Sequence, residues 1–593
     1  MPRKKELQSI LSKWRRYIFT KECIFWAVTV TIIIISFFLL YEFDYKKHLL
    51  TGDEPAFIPA TLSQAPWGWF KEGFSHYFVV YPEWFRPYTN FLRPTSNLIT
   101  FINHAVFGNQ YGLYFITYFL FQFIGLYLFV SLLKKHNVAF WPRSFTALLF
   151  LFNPAYINTG LISLPFHFDI VAAVFLLGVL SAIYADRLTI AFILLTLSVF
   201  TKETAVFAPL AAALTVALRG HRIYKAATML IPAIIWFSTR ILAFGNIFQG
   251  TYATPKDPIS ILRGILSGLK RWPTGISYSA DTSLKDALTS GEFGISHLFV
   301  IFNRVANIFL WFFIAWTIWK IIRQLLYNKA IRSNKMFISA ASILIWVVGS
   351  LAVGVILSCD DPRFGASIYS FFLLFTAIVL FGNSAQYIPA PKWLSPVVLS
   401  ILVVGTIYHS FIFVQNVTSS WTERELSVSL YDTLESLPQN GQPVFIVNAP
   451  QMFASPTYLD DGWKLNLNIV FINQFVGCTK IQADSTTPPS IKFEDIERTQ
   501  KALAITLPNC AHFSFAGVEP AILTSSLRNG LERQGIGTYY FPESSSEGIS
   551  EYQINLGKRL IVTISNAGTV ADSIWIAYDW KSGRYYQLKS ASQ

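Results

Sequence analysis

Ten ionisable residues stand where the chain leaves long apolar runs, and their types are those of a site that handles charge. They are Asp53 and Glu54, Arg93, His167 and Asp169, Lys202 and Glu203, Arg240, and Asp361 with Arg363. Ionisable groups in or beside membrane segments are costly, so their presence there asks for a function. A carboxylate can take a proton from a hydroxyl, and a guanidinium or ammonium can stabilise an anion that forms as a bond breaks. Each residue taken alone also has a plainer reading. Lys202-Glu203 closes a tight turn, Asp360-Asp361-Pro362 caps a helix, His167 packs between helices, Arg240 snorkels to a surface, and Asp53-Glu54 is an exposed acidic pair. Their common level in the topology carries the functional reading.

That level follows from the elements. Hydrophobic residues make up 53% of the chain and charged ones 14%, with a mean hydropathy of +0.43, against about 25% charged in a typical soluble protein. This composition excludes a water-exposed globule, a disordered or fibrous chain and a disulfide scaffold. Apolar runs near the roughly 20 residues that a bilayer core requires occur at 23–41, 111–132, 139–157, 162–184, 188–201, 203–218, 226–245, 298–319, 336–357, 364–381 and 394–414. The pair 188–218 is either two spans or one re-entrant hairpin; both leave the parity unchanged. With the basic N-terminus (Arg3, Lys4, Lys5, Lys13, Arg15, Arg16) in the cytoplasm, the alternate loops hold Lys134, Lys135, Arg187, Arg219, Arg222, Lys320, Arg323 and Lys392. The positive-inside rule is then met throughout. The net charge of +13 is mostly this topology signal, and no nucleic-acid partner is expected.

The organisation expected is therefore a cytoplasmic segment 1–22, a transmembrane region 23–415 with outer loops 42–110 and 246–297, and an extracytoplasmic domain 416–593. The tail is polar, punctuated by turns, and has strand-like runs at 443–448, 465–473 and 559–565, with a hairpin over 574–587 turning at Lys581-Ser582-Gly583. It reads as a small α+β domain, in which Cys478 and Cys510 have a compartment that permits a disulfide. In the first outer loop, Pro94 opens a helix. Leu98, Ile99, Phe101, Ile102, Ala105 and Val106 fall on one face and Asn97, Thr100, Asn103 and His104 opposite, which suits the membrane interface. The four Cys form no CxxC pattern, and no P-loop, GxGxxG or HExxH occurs.

Several of these residues sit in stretches that resemble a known family. Gly52-Asp53-Glu54 after the first helix looks like the acidic pair in the first outer loop of GT-C-fold glycosyltransferases. Phe91-Leu92-Arg93-Pro94-Thr95-Ser96-Asn97, followed by Asn103-His104 and Phe107-Gly108-Asn109, is similar to a block of the protein O-mannosyltransferase-like enzymes, which include transmembrane-and-tetratricopeptide mannosyltransferases. Phe200-Thr201-Lys202-Glu203-Thr204-Ala205 is close to their "LSKETA" block. Phe152-Asn153-Pro154 with His167-Phe168-Asp169, and Asp361-Pro362-Arg363-Phe364, occupy the places of two further segments. The resemblance covers about residues 45–370 in order. His167 stands where the family has Arg, Glu54 where it has a second Asp, and the tail carries no tetratricopeptide repeats.

The resemblance implies a polytopic α-helical membrane protein of GT-C type with about eleven transmembrane helices. It implies transfer of a sugar, with inversion, from a polyprenyl-phosphate carrier to a glycan, glycolipid or protein hydroxyl outside the cytoplasm. Asp53, ahead of Glu54, is then the base. Arg93, Lys202, Arg240 and Arg363 meet the carrier phosphate, with Glu203, His167, Asp169 and Asp361 supporting. No cofactor or metal is expected. The expected location is a bacterial plasma membrane, since the tail has few N-x-S/T sites and no retention signal ends the chain. A lipid-linked sugar flippase or transporter, or a non-catalytic scaffold, would need pseudo-symmetric halves or no charged constellation at all.

Overall fold

The computed structural model describes residues 20–43, 93–108, 110–153, 156, 164, 167–244, 295–328, 334–356, 365–383, 388, 391 and 393–440, and strand segments between 443 and 587. Two compact units divide the chain, Met1–Lys46 with Ala60–Thr418, and Lys47–Pro59 with Ser419–Gln593.

The first unit is helical. Its helices are α1 (Lys21–Phe43), α2 (Pro94–Phe107), α3 (Phe115–Lys135, entered through a 3₁₀ turn at Tyr111–Tyr114), α4 (Phe140–Leu151), α5 (His167–Tyr184), α6 (Leu188–Val199), α7 (Ala208–Leu218), α8 (Ile223–Thr228), α9 (Ile231–Phe244), α10 (Ile295–Tyr327), α11 (Lys335–Ile356) and α12 (Gly365–Phe381). The long α13 (Leu394–Glu435) runs on into the second unit. Among the described residues, five segments are long and apolar enough to cross a membrane: Lys21–Glu42, Tyr111–Lys135, His167–Tyr184, Ile223–Leu242 and Arg304–Tyr327. Shorter apolar helices lie at Leu188–Val199, Glu203–Leu218, Phe337–Val353, Gly365–Phe381 and Leu394–Tyr408. The chain is a helical, membrane-embedded protein.

Helix α5 is the hub, with fifteen of its eighteen residues buried. Bare backbone at glycine lets its neighbours approach: a Cβ on Gly125 of α3 would come within 2.8 Å of Val174, and one on Gly178 of α5 within 2.9 Å of Leu194 on α6. Close approach at small residues is how helices associate in lipid, where no hydrophobic force separates protein from solvent.

The run 188–218 is a hairpin. At 12 and 11 residues, α6 and α7 reach only about 16–18 Å each, short of a roughly 30 Å hydrocarbon core. Asp186, just before α6, accepts a hydrogen bond from Arg219, just after α7, at 3.2 Å, and His221 Nε2 lies 3.2 Å from the same oxygen. Both feet of the hairpin therefore stand at the Tyr184 end of α5. Its tip, Thr201–Ala205, lies beside Asp169 at the other end, roughly 25 Å away by helical rise. Helix α4 is also only 12 residues long, shorter than the run 139–157 suggested.

In the second unit, β1 (Pro443–Val447) pairs in parallel with β3 (Asn468–Phe471) and β9 (Ile574–Asp579), and β10 (Arg584–Gln587) closes the edge antiparallel to β9. The hairpin read over 574–587 is this β9–β10 pair, with Asp579 opposite Arg584. Short β2 (Ala449–Pro450) and β4 (Gln474–Phe475) pair in parallel. A further sheet orders β5 (Ile491–Glu497), β6 (Gln500–Ile505), β8 (Leu560–Ile564) and β7 (Ile536–Tyr540), with all pairs antiparallel. Cys478 and Cys510 lie outside the described residues.

Candidate functional site

Six of the ten ionisable residues are described, and the fold brings all six to the hairpin tip. The chain makes the tip by breaking α6 at Val199, where backbone bonds turn to a 3₁₀ pattern through Glu203–Ala205. Lys202 sits extended between them, at φ −153° and ψ 140°. This break lifts Lys202 and Glu203 out of regular helix, so their side chains leave in different directions.

Glu203 receives Arg93. The guanidinium Nε donates to Oε1 at 3.0 Å and Nη2 to Oε2 at 2.8 Å. Both side chains are buried, with 7% and 10% of their surface exposed. Fork-to-carboxylate pairing of this kind adds direction to charge attraction. Lys202 turns the other way, with Nζ 3.0 Å from Asp169 Oδ2 and both side chains under 5% exposed. Two buried ion pairs thus stand side by side on adjacent residues. Losing one partner of such a pair leaves a buried charge that water cannot reach.

Helix α2 delivers Arg93. Pro94 occupies its first turn. The Thr95 N–H donates to the Phe200 carbonyl at 3.1 Å and the Ser96 hydroxyl to the Thr201 carbonyl at 2.7 Å. These bonds dock the start of α2 on backbone acceptors freed where α6 ends. The far end stops at Gly108, whose φ of +58° suits glycine. There the Tyr114 hydroxyl donates to the Gly108 carbonyl at 2.8 Å, with His104 Nδ1 3.1 Å from the same oxygen. Thr117 donates to Asn103.

Arg240 comes from α9. It is fully buried, its guanidinium centre 5.0 Å from the centroid of the Trp236 ring. Trp236 in turn packs with Val199, Phe200 and Val206 of the tip. Arg240 lies within electrostatic reach of Glu203 and Arg93. The plainer, snorkelling reading of Arg240 therefore fails: the cation–π contact and the nearby carboxylate replace water around the guanidinium. The plain loop-pair reading of Lys202-Glu203 also fails, because both residues are buried.

His167, the first residue of α5, is 6% exposed. Its ring meets Phe115 edge-on at 5.0 Å and lies tilted over Tyr118 at 5.1 Å. It is an interhelical histidine, as its plainer reading has it, and it stands two residues from Asp169. Behind it the Tyr118 hydroxyl donates to the Tyr156 carbonyl at 3.2 Å, and the Tyr156 hydroxyl lies 3.2 Å from Ser370 Oγ. Ser370 also accepts from Asn153 at 3.4 Å, which ties α12 to the end of α4.

Asp53, Glu54, Asp361 and Arg363 lie outside the described residues. Among the described residues, no three His, Cys, Asp or Glu side chains are grouped to hold a metal ion. The aromatic partners Phe115, Tyr118 and Trp236 and the hydroxyl of Ser96 went unread in the sequence. Only the position of Ser96 inside the Arg93-Pro94-Thr95-Ser96 block hinted at a role. No protein-family model and no curated protein matches the chain.

Proposed function

We propose that the protein is a GT-C-like membrane glycosyltransferase that moves a sugar from a polyprenyl-phosphate carrier to an acceptor hydroxyl with inversion. The observation that carries this is the pair of buried ion pairs, Arg93–Glu203 and Lys202–Asp169, at one hairpin tip with Arg240 and His167 beside them. A cluster of this kind offers an anion three cations whose positions are already fixed, which is what a developing phosphate charge requires. Its place at the first turn of α5, rather than halfway along the helices, favours surface chemistry over transport through the bundle.

In the reaction the acceptor oxygen attacks the anomeric carbon as its proton passes to a carboxylate. The bond from that carbon to the phosphate oxygen breaks, and the carrier leaves as polyprenyl phosphate with one further negative charge. Arg93, Lys202 and Arg240, together with Arg363, stabilise that charge. Glu203 and Asp169 hold the first two cations in place, and Asp53, ahead of Glu54, takes the proton. The reading includes about nine transmembrane helices with the hairpin 188–218 re-entrant between them, where the sequence suggested about eleven, together with a cytoplasmic N-terminus, an outer α+β domain after residue 415 and a bacterial plasma membrane. Glycan, glycolipid or protein acceptors all fit a hydroxyl nucleophile.

The test is binding before chemistry, since the sugar need not be known. Polyprenyl phosphate should raise the unfolding temperature of the purified chain, whereas the uncharged polyprenol should not. Lys202→Gln should abolish the shift. Equal shifts from phosphate and alcohol would sink the reading. Orientation is checked separately: in intact cells an impermeant thiol reagent should label a cysteine at Ser545 and spare one at Ser333.

A further inference from the structure

Helix α9 turns two polar residues inward, one turn apart. Trp236 and Arg240 are spaced i, i+4 and share a face, and they are buried at 4% and 0% exposure. On the rest of the helix Ile234, Ile235, Ile241 and Leu242 are exposed, so the Trp236–Arg240 face is the one packed against the protein. Trp236 has two attachments there. Its ring packs with Val199, Phe200 and Val206 of the hairpin tip, and the Arg240 guanidinium lies over it. Both contacts use the ring and leave the indole N–H aside. That nitrogen is buried and has no hydrogen-bond partner among the described residues.

An indole has one polar atom, and that atom can only donate. Buried without an acceptor, it carries a free-energy cost that a phenylalanine ring in the same place would avoid. Two other buried nitrogens in this state differ in kind. His136 Nε2 can stand as a bare lone pair by choice of tautomer, and Arg219 reaches Asp186 through another of its N–H groups. Trp236 has no such alternative, and a bound ligand can supply the missing acceptor. Across the face of its ring lies a guanidinium withdrawn from water, so the ligand drawn to this place is an anion. We propose that the Trp236 indole N–H donates to an oxygen of the carrier phosphate, beside the charge contact from Arg240. One turn of α9 then holds the phosphate by a cation and a neutral donor together. This rests on the lipid-phosphate reading above. It makes Trp236 a binding residue as well as a support for Arg240: the cations attract the anion, and the N–H requires one of its oxygens at a fixed point.

The experiment uses the full chain in detergent, with Trp236 replaced by benzothienylalanine, an isostere in which sulfur takes the place of the indole N–H. The ring, its packing and the face under Arg240 are kept, and only the donor is lost. The probe is polyprenyl phosphate and the control is polyprenol. Without ligand, the isosteric chain should unfold at a temperature no lower than the native chain, because the donor it lacks had no acceptor. Its affinity for polyprenyl phosphate should fall about tenfold, while polyprenol should not tell the two chains apart. Trp236→Phe should lose at least as much affinity. A lower unfolding temperature for the ligand-free isosteric chain would mean that the N–H is already satisfied within the protein, and would overturn the proposal. Equal affinity of the two chains for polyprenyl phosphate would overturn it as well, and leave the lipid-phosphate reading standing. A native chain with no preference for polyprenyl phosphate over polyprenol would remove both.

Discussion

At the scale of single residues, the Arg93–Glu203 pair makes structure and chemistry separable. Removing one partner strands a buried charge, a change that costs about 3–5 kcal/mol. Glu203→Gln and Arg93→Met should each lower the unfolding temperature markedly in detergent. The double variant, which removes both charges, should lose much less than the sum of the two. Sugar transfer, by contrast, should stay abolished in the double variant, because no guanidinium remains for the phosphate. A double variant that is both stable and active would show the pair to be architectural. Arg240→Ala should cost about 100–1,000-fold in transfer, measured in proteoliposomes with the sugar-loaded carrier. Arg240→Lys should recover only part, since an ammonium lacks the planar fork that lies over Trp236. Much of this cluster was legible because Lys202-Glu203 and Arg93-Pro94 sit in recognisable blocks at the ends of apolar runs. The supports were not: Trp236 under Arg240, and Phe115 and Tyr118 around His167, are aromatics among the 53 Phe, 27 Tyr and 17 Trp of the chain. Nothing in their local spacing separates them from residues that face lipid.

At the scale of elements, two helices half the expected length matter more than the long ones. The break between α6 and α7 creates the free carbonyls of Phe200 and Thr201 that dock α2. Apolar periodicity locates such a break but cannot say whether the two halves are full spans or a re-entrant pair. The lengths of α6 and α7, 12 and 11 residues, favour re-entry, and the Asp186–Arg219 contact that closes the feet joins residues 33 apart that no local pattern connects. The amphipathic face of α2 was readable, with Leu98, Ile102 and Val106 exposed and Thr100 and Asn103 buried. Its inward polar face became informative only with Thr201 beneath it. Ser96→Ala should remove one buried hydrogen bond and cost about 1 kcal/mol, seen as a small loss of thermal stability with α2 still in place. The α3–α5 seam is a sharper test. Gly125→Val would force branched carbon into Val174 and towards Phe150, whose ring atom lies 3.4 Å from the position of a Cβ. Overpacking of this sort costs about 1–3 kcal/mol. The expected result is a lowered unfolding temperature, and an unchanged one would mean the seam opens freely.

For the whole molecule, the two ends of the helical unit are electrostatically unlike. The end opposite the site gathers Lys134, Lys135, Arg143 and Arg219 around Glu22 and Asp186, and His136 stands among them. His136 is 3% exposed, beside the ring of Tyr184 at 5.5 Å. Burial first, then the charges of Lys135 and Arg219, push its pKa down from 6.5 to about 4. The unfolded chain therefore takes up this proton near pH 6.5, and the folded chain only near pH 4. Between those values the unfolded state binds more protons, so stability rises with pH through the window and is complete above it. Acidification to pH 5 should cost about 2 kcal/mol at this one residue. Other groups titrate in the same range, so the comparison must be between variants. His136→Gln stays neutral at both pH values. It also keeps the backbone carbonyl to which the Asn383 N–H donates at 3.2 Å, which ties the ends of α3 and α12. The loss of unfolding temperature between pH 7.5 and pH 5 should accordingly be smaller in His136→Gln than in the native chain. Equal losses would mean that His136 takes up its proton in the folded state as readily as in the unfolded one, and that this end of the molecule opens to water before it unfolds.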